Sequence, residues 1–108
     1  MNCLNQIIIE GKITKCCNVE TLDSGIERLI FSIEVERKFA NEAGEIAIET
    51  SYFDIAIYGR MVDLCSSRLK LGKGIRVVGR LKQEAIAVGS EVSNYVYVVG
   101  EHIEFKAL

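Results

Sequence analysis

Apolar and polar side chains alternate along residues 28–39 with a period close to two, which is typical of a half-buried β-strand. Phe31, Ile33 and Val35 share one face of this strand, and the polar residues Ser32 and Glu34 share the other. Because successive side chains of a strand point to opposite sides, we expect the odd-numbered residues to face a hydrophobic core.

Four further segments are rich in the β-branched and aromatic residues that favour strands, and they span residues 6–14, 46–59, 75–81 and 95–99. Gly11 interrupts the first segment, where we expect a bulge or a bend. Gly44 lies in a polar stretch that predicts a hairpin turn between the second and third strands. Residues 88–94, which include Gly89, are predicted to form a polar connection between the last two strands.

One helix is predicted, over residues 61–71, where Gly72 follows as a glycine suited to the C-terminal end of a helix. Its apolar residues recur at helical spacing: Met61, Leu64, Cys65 and Leu69. The predicted order is therefore three strands, this helix between strands 3 and 4, and two more strands.

That order is the arrangement of the OB-fold, an all-β, five-stranded Greek-key barrel that binds oligonucleotides and oligosaccharides. An SH3-like barrel with an insertion or a small α+β sheet would also fit the pattern. The length of 108 residues suits a single domain, which we expect to span residues 1–108.

The charge of the chain does not identify a partner, since 13 Lys and Arg face 15 Asp and Glu. A groove would still be basic if the strand cations converged on one face. No apolar run is long enough to span a bilayer, and the first residues lack the basic region of a signal peptide, so we expect a cytoplasmic, nucleoid-associated protein.

Catalytic and metal-binding motifs are not found in the sequence. The four cysteines have no C-x-x-C spacing and are expected to be free thiols. His102 is the only histidine, and the glycines around Lys73 do not form a nucleotide-binding loop. We therefore expect no enzyme activity, no cofactor and no metal.

The segments NQIIIEGKIT, DSGIERLIFSIEVERKF, EIAIETSYFDIAIYGR and LKLGKGIRVVGRLK follow one another in an order and spacing that resemble bacterial single-stranded DNA-binding proteins. The resemblance covers residues 5–105. It implies an OB-fold that binds single-stranded DNA without sequence preference in DNA replication, recombination and repair. It also implies a homotetramer, with a dimer as the second possibility, and the apolar first strand would suit such pairing.

The resemblance also implies the residues that contact DNA. Base-stacking aromatics of the family correspond to Phe39, Tyr52 and Tyr58, whereas Phe53 alternates with Tyr52 and is expected in the core. Strand cations that could hold phosphates are Arg37, Lys38, Arg60, Arg80 and Lys82.

Three residues depart from the family pattern. Ile86 occupies a fourth stacking position, and Asp54 and Glu84 are acidic where basic residues would favour DNA. We therefore expect weaker binding, or a shorter footprint, than is usual in the family.

The family usually continues into a flexible acidic tail that recruits replication and repair proteins, whereas this sequence stops at Leu108, shortly after the last predicted strand. We expect such recruitment only if the full-length protein carries a tail. The second hypothesis is a dimeric OB-fold accessory factor, resembling the small primosomal protein, that acts mainly through protein interactions. A third, a small nuclease, lacks a cluster of carboxylates with metal-binding spacing.

Overall fold

The β-branched and aromatic segments of the chain form long strands in the computed structural model, which describes residues 1–106. The predicted domain ends at Ala107 and Leu108, which lie outside the described residues. The elements in chain order are β1 (Ile7–Cys16), β2 (Glu20–Thr21), β3 (Glu27–Ala40), β4 (Ile46–Tyr58), helix α1 (Arg60–Cys65), a 3₁₀ turn (Ser66–Arg68), β5 (Gly74–Val88) and β6 (Glu91–Lys106).

Five of these strands close into a barrel. Antiparallel pairs join β1 to β5, β5 to β6 and β4 to β3, and a short parallel pair joins β4 to β6. Strand β1 completes the barrel by also pairing with β3, while the two-residue β2 only extends the sheet beyond β3. The helix lies between β4 and β5, so the predicted OB-fold is confirmed.

Strand β1 changes partner at Lys12, pairing with β5 before this residue and with β3 after it. A Cβ atom added to Gly11 would lie 2.3 Å from the backbone oxygen of Glu34. Only glycine allows β1 and β3 to approach so closely, which explains the residue at the predicted bend.

The core fills the barrel with side chains from every long strand and from the helix. Phe31 and Ile33 are fully buried, as the alternation predicts, and Val35 is partly buried against them. The expectation for Phe53 was wrong, because this residue is 36% exposed. Pairing between β4 and β6 begins only at Ile55, so no strand covers Phe53 at that end of the barrel.

The helix is shorter than predicted, since α1 ends at Cys65 and a 3₁₀ turn follows it. Val62, Cys65 and Leu69 are buried, whereas Leu64, which the periodicity assigned to the apolar face, is 63% exposed. The backbone is already extended at Leu69, and Gly72 donates a hydrogen bond to the carbonyl of Ile13. Contacts with β1 therefore replace the last predicted helical turn. In residues 1–106 no helix is long and apolar enough to cross a membrane.

The predicted polar connection over residues 88–94 was also wrong. Strand β5 continues to Val88 and β6 starts at Glu91, which leaves a tight turn at Gly89 with φ of +63°. The part of the β5–β6 hairpin around Gly89 extends beyond the barrel, so both of its faces are exposed. Polar residues can therefore occupy either face without being buried. The polar stretch therefore forms strand instead of a loop.

Candidate nucleic-acid interface

All four tyrosines of the chain lie on β4 and β6, at positions that face away from the barrel core. On β4, Ile55 and Ile57 point into the core, so the alternating positions Tyr52 and Tyr58 point outward. Parallel pairing aligns Ala56 of β4 with Val99 of β6, and this brings Tyr97 and Tyr95 to the same side. We call these four residues, Tyr52, Tyr58, Tyr95 and Tyr97, the tyrosine face.

Three members of the tyrosine face pack against one another. The rings of Tyr95 and Tyr97 stack with their centroids 5.1 Å apart and an angle of 24° between their planes. The hydroxyl groups of Tyr58 and Tyr97 form a hydrogen bond, with 3.3 Å between their oxygens. Because Tyr97 gives its single hydroxyl proton to Glu84, Tyr58 must be the donor in this pair.

Two carboxylates anchor the hydroxyl groups. Tyr95 donates to Asp54 at 2.6 Å, and Ser32 donates to the other oxygen of Asp54 at 2.6 Å. Tyr97 donates to Oε1 of Glu84 at 2.6 Å. Tyr95 and Tyr97 are thus each held in one orientation by a charge-assisted hydrogen bond.

These contacts shift the ionisation of the groups involved. Burial, followed by the hydrogen bonds to Glu84 and Tyr58, raises the pKa of Tyr97 well above its usual value. Burial and Asp54 raise the pKa of Tyr95 in the same way. The Tyr97 hydroxyl lowers the pKa of Glu84, so Glu84 is a carboxylate at neutral pH.

The four rings differ greatly in their access to solvent. Tyr97 is only 3% exposed and supports its neighbours from below, whereas Tyr52 is 66% exposed. Tyr58 and Tyr95 are partly buried. Tyr52 is therefore the ring with the largest free surface for a stacking partner.

Phe39 does not join the tyrosine face. It lies opposite Ala47, and both residues continue the row that points into the core further along the hairpin. Arg37 shares this side: its guanidinium lies 4.9 Å from the centroid of the Phe39 ring, and it approaches Glu49 at 3.8 Å. The structure thus groups Phe39 with Arg37, apart from Tyr52.

Three of the other cations predicted to hold phosphates point to the same side of the sheet as the tyrosine face. Lys38, Arg80 and Lys82 lie in rows that point to the same side as the tyrosines. Arg80 approaches Glu101 at 3.9 Å, and Lys82 approaches Glu84 at 3.5 Å.

Arg60 and Arg28 extend this set of cations at the end of β4. Arg60 is the exposed first residue of α1, two positions after Tyr58. Arg28 lies opposite Tyr58 and forms an ion pair with Glu20. Several cations are thus near the face, but carboxylates already pair with Arg28, Arg80 and Lys82.

Sequence reasoning missed Tyr95, Tyr97 and Arg28. The Y-x-Y spacing in the last strand did place both tyrosines on one face, which could have indicated an aromatic surface. What the spacing could not indicate is the partner strand, because β4 and β6 are far apart in the chain.

A groove of about 410 Å³ opens beside Tyr52 where β4 and β6 diverge. Phe53, Leu81 and Val96 form much of its apolar lining, and Asp54 and Tyr97 line it as well. Next to the most exposed ring, the surface is therefore concave and mostly apolar.

The model of the single-strand binding protein family matches residues 4–106 of the chain. The single-stranded DNA-binding protein of Aquifex aeolicus is 29% identical over 100 residues, which cover 93% of this chain and 68% of that protein. Single-stranded DNA-binding protein 1 of Staphylococcus aureus is 30% identical over 79 residues, covering 73% of this chain and 46% of that protein. The chain thus spans about half the length of the second relative.

Solved structures share the fold at lower identity. A Plasmodium falciparum structure described as an SSB complex with ssDNA has a TM-score of 0.88 at 19% identity, covering 99% of this chain and 98% of that one. The single-stranded DNA-binding protein from Thermus aquaticus has a TM-score of 0.82 at 24% identity, covering 96% of this chain and 50% of that one.

Proposed function

Since the chain belongs to the single-strand binding protein family, we propose that it binds single-stranded DNA of any sequence and protects it during replication, recombination and repair. This role requires recognition of unpaired bases and not catalysis. Within residues 1–106 there is no group of three or more His, Cys, Asp or Glu residues that could hold a metal ion.

The observation that carries the proposal is the exposed ring of Tyr52, which points to the same outward-facing side of β4 as Tyr58. Unpaired bases can stack on such rings whatever their identity, because every base has a π face. Duplex DNA keeps its bases stacked inside the helix and cannot use the rings in this way. The aromatic surface therefore favours single strands.

Phosphates would be held by the cations near the tyrosine face. Lys38 and Arg60 have no ion pair within residues 1–106, whereas Arg80 and Lys82 would exchange a carboxylate for a phosphate. Such an exchange releases less free energy than pairing a free cation. We therefore propose that stacking contributes a large share of the affinity.

The relatives of this chain are named as single-stranded DNA-binding proteins. They therefore do not favour the alternative of an accessory factor that acts mainly through protein interactions. Recruitment of replication and repair proteins through a tail stays a prediction for the full-length protein.

We also propose a homotetramer. Support comes from β1, whose residues before Lys12 pair only with β5 and leave their other edge open in the described part of the chain. Ile8 on this strand is 65% exposed. Sedimentation should give a mass of four times 12.0 kDa, and Ile8→Glu should lower it. A monomer or dimer of the unmodified protein would contradict this assembly.

The proposed site of action is the cytoplasm, together with the nucleoid. A fluorescent fusion should overlap with DNA in live cells. A fusion found at the cell envelope would contradict it.

The test of the proposed function is a titration of fluorescent single-stranded dT oligomers and of matched duplex DNA, at about 50 mM and about 200 mM salt. We expect salt-sensitive binding to the single strand and much weaker binding to the duplex. If neither DNA binds at the lower salt concentration, the family resemblance reflects fold and ancestry only, and the accessory-factor hypothesis takes first place.

A further inference from the structure

Asp54 and Glu84 place two negative charges within the tyrosine face. Asp54 is hydrogen-bonded to Tyr95, and Glu84 to Tyr97, and the two tyrosine rings stack on each other. The carboxylates therefore lie on the same side of the sheet as the rings that would stack on bases. Their orientation is set by hydroxyl donors and not by free rotation.

Both carboxylates keep acceptor capacity. A carboxylate offers about four lone-pair positions. Asp54 uses one on each oxygen. The hydrogen bond and the ion pair of Glu84 within residues 1–106 both use Oε1, which leaves Oε2 open on a partly exposed side chain.

Phosphates cannot approach these two groups without strong repulsion between like charges. A strand that binds the tyrosine face must therefore keep its phosphates near the surrounding cations and turn its bases towards Asp54 and Glu84. The edges of the bases then decide whether the contact is favourable.

Cytosine and thymine differ at the ring position that such a contact would use. Cytosine carries an amino group at position 4, which donates hydrogen bonds, whereas thymine carries a carbonyl oxygen, which accepts them. Glutamate and aspartate are suited to accept from the cytosine amino group. The same carboxylates repel the thymine oxygen.

We propose that Asp54 and Glu84 are specificity-determining residues that make this protein bind cytosine-rich single strands more tightly than thymine-rich ones. The inference rests on the proposed function and adds a preference in base composition to binding that otherwise tolerates any sequence. Stacking on Tyr52 and Tyr58 supplies the tolerance, and the two carboxylates supply the preference.

The experiment compares oligo(dC) and oligo(dT) of about 16 nucleotides, the upper end of the footprint of one OB-fold. Binding is measured by fluorescence anisotropy at mildly alkaline pH, where cytosine is not protonated. We expect the unmodified protein to bind oligo(dC) about five- to tenfold more tightly than oligo(dT).

Glu84→Gln is the decisive variant. Its amide oxygen can still accept from Tyr97, while its amino group replaces the open oxygen and donates to thymine instead. We expect the ratio of the two affinities to fall to about one or to reverse. Asp54→Asn should act in the same direction. Circular dichroism should show that both variants remain folded.

Asp63→Asn is the matched control, because it removes one negative charge from the exposed side of α1. It should change both affinities to a similar extent and leave their ratio unaltered. Equal binding of both oligomers by the unmodified protein, or an equal change of the ratio in Asp63→Asn, would overturn the preference and leave the proposed function intact. Binding of neither oligomer would overturn both.

Discussion

Replacing Tyr52 with alanine removes the most exposed ring of the tyrosine face. Base stacking on an aromatic side chain is worth about 1–3 kcal/mol per base, which corresponds to about a 5- to 150-fold loss of affinity. Because the ring is uncharged, the loss should be similar at low and high salt, and the slope of affinity against salt should stay the same.

The fold should survive this change. Tyr52 is 66% exposed, so only about a third of its surface, roughly 70 Å², is shielded from water. At about 25 cal/mol per Å², the loss of stability is about 2 kcal/mol at most, within the 5–15 kcal/mol typical of a domain. A loss of binding in Tyr52→Ala can therefore be assigned to the missing ring.

The assay is a titration of oligo(dT), with Tyr52→Phe as the control. The Tyr52 hydroxyl takes part in no hydrogen bond within residues 1–106, so phenylalanine keeps every contact of the ring. We expect Tyr52→Phe to bind like the unmodified protein. Unchanged affinity in Tyr52→Ala, or an equal loss in Tyr52→Phe, would remove Tyr52 from the path of the strand.

Three other predictions concern the barrel, the cations and the buried tyrosine. Gly79→Ala should destabilise the fold by about 3 kcal/mol or more, because its Cβ would lie 1.9 Å from the backbone oxygen of Val99; an unchanged denaturant midpoint would contradict this. Lys82→Ala should reduce the salt slope by one unit or less, since Glu84 already pairs with Lys82, and an identical slope would mean that Lys82 contacts no phosphate. Above about pH 10, a tyrosine in the unfolded chain loses its proton, whereas Tyr97 in the folded protein keeps it because its pKa is raised. The folded state then binds more protons than the unfolded state. The contribution of Tyr97 to stability should therefore fall by up to about 1.4 kcal/mol per pH unit. Tyr97→Phe should flatten that decline in alkaline denaturation curves, and an unaltered decline would refute the assignment.

Local patterns were sufficient for most of the fold. Alternation along β3 predicted its inward face correctly, because the side of a strand on which a residue lies depends only on its position in the chain. The hairpin turn around Gly44 was also correct, since its φ of +79° is one that glycine permits locally. The strand β1 continues through Gly11, and its register shift lies further along, between Ile13 and Lys15.

The errors occurred where a distant segment decides the outcome. Contacts with Ile13 shorten the helix, and the absence of a covering strand leaves Phe53 exposed. The stacking role of Phe39 stays a prediction, but its position on the opposite side from Tyr52 depends on the register of the β3–β4 hairpin. None of these features is encoded by the neighbouring residues alone.

The candidate site shows most clearly which features follow from local sequence and which depend on distant segments. The order of strands and the outward-facing positions of Tyr52 and Tyr58 follow from residue spacing, and with them the prediction of a surface that stacks bases. The contact of Asp54 with Tyr95 joins residues 41 positions apart and exists because parallel pairing of β4 with β6 closes the barrel. Pairing between distant strands is decided by how the whole core packs, and no local pattern of side chains contains that information.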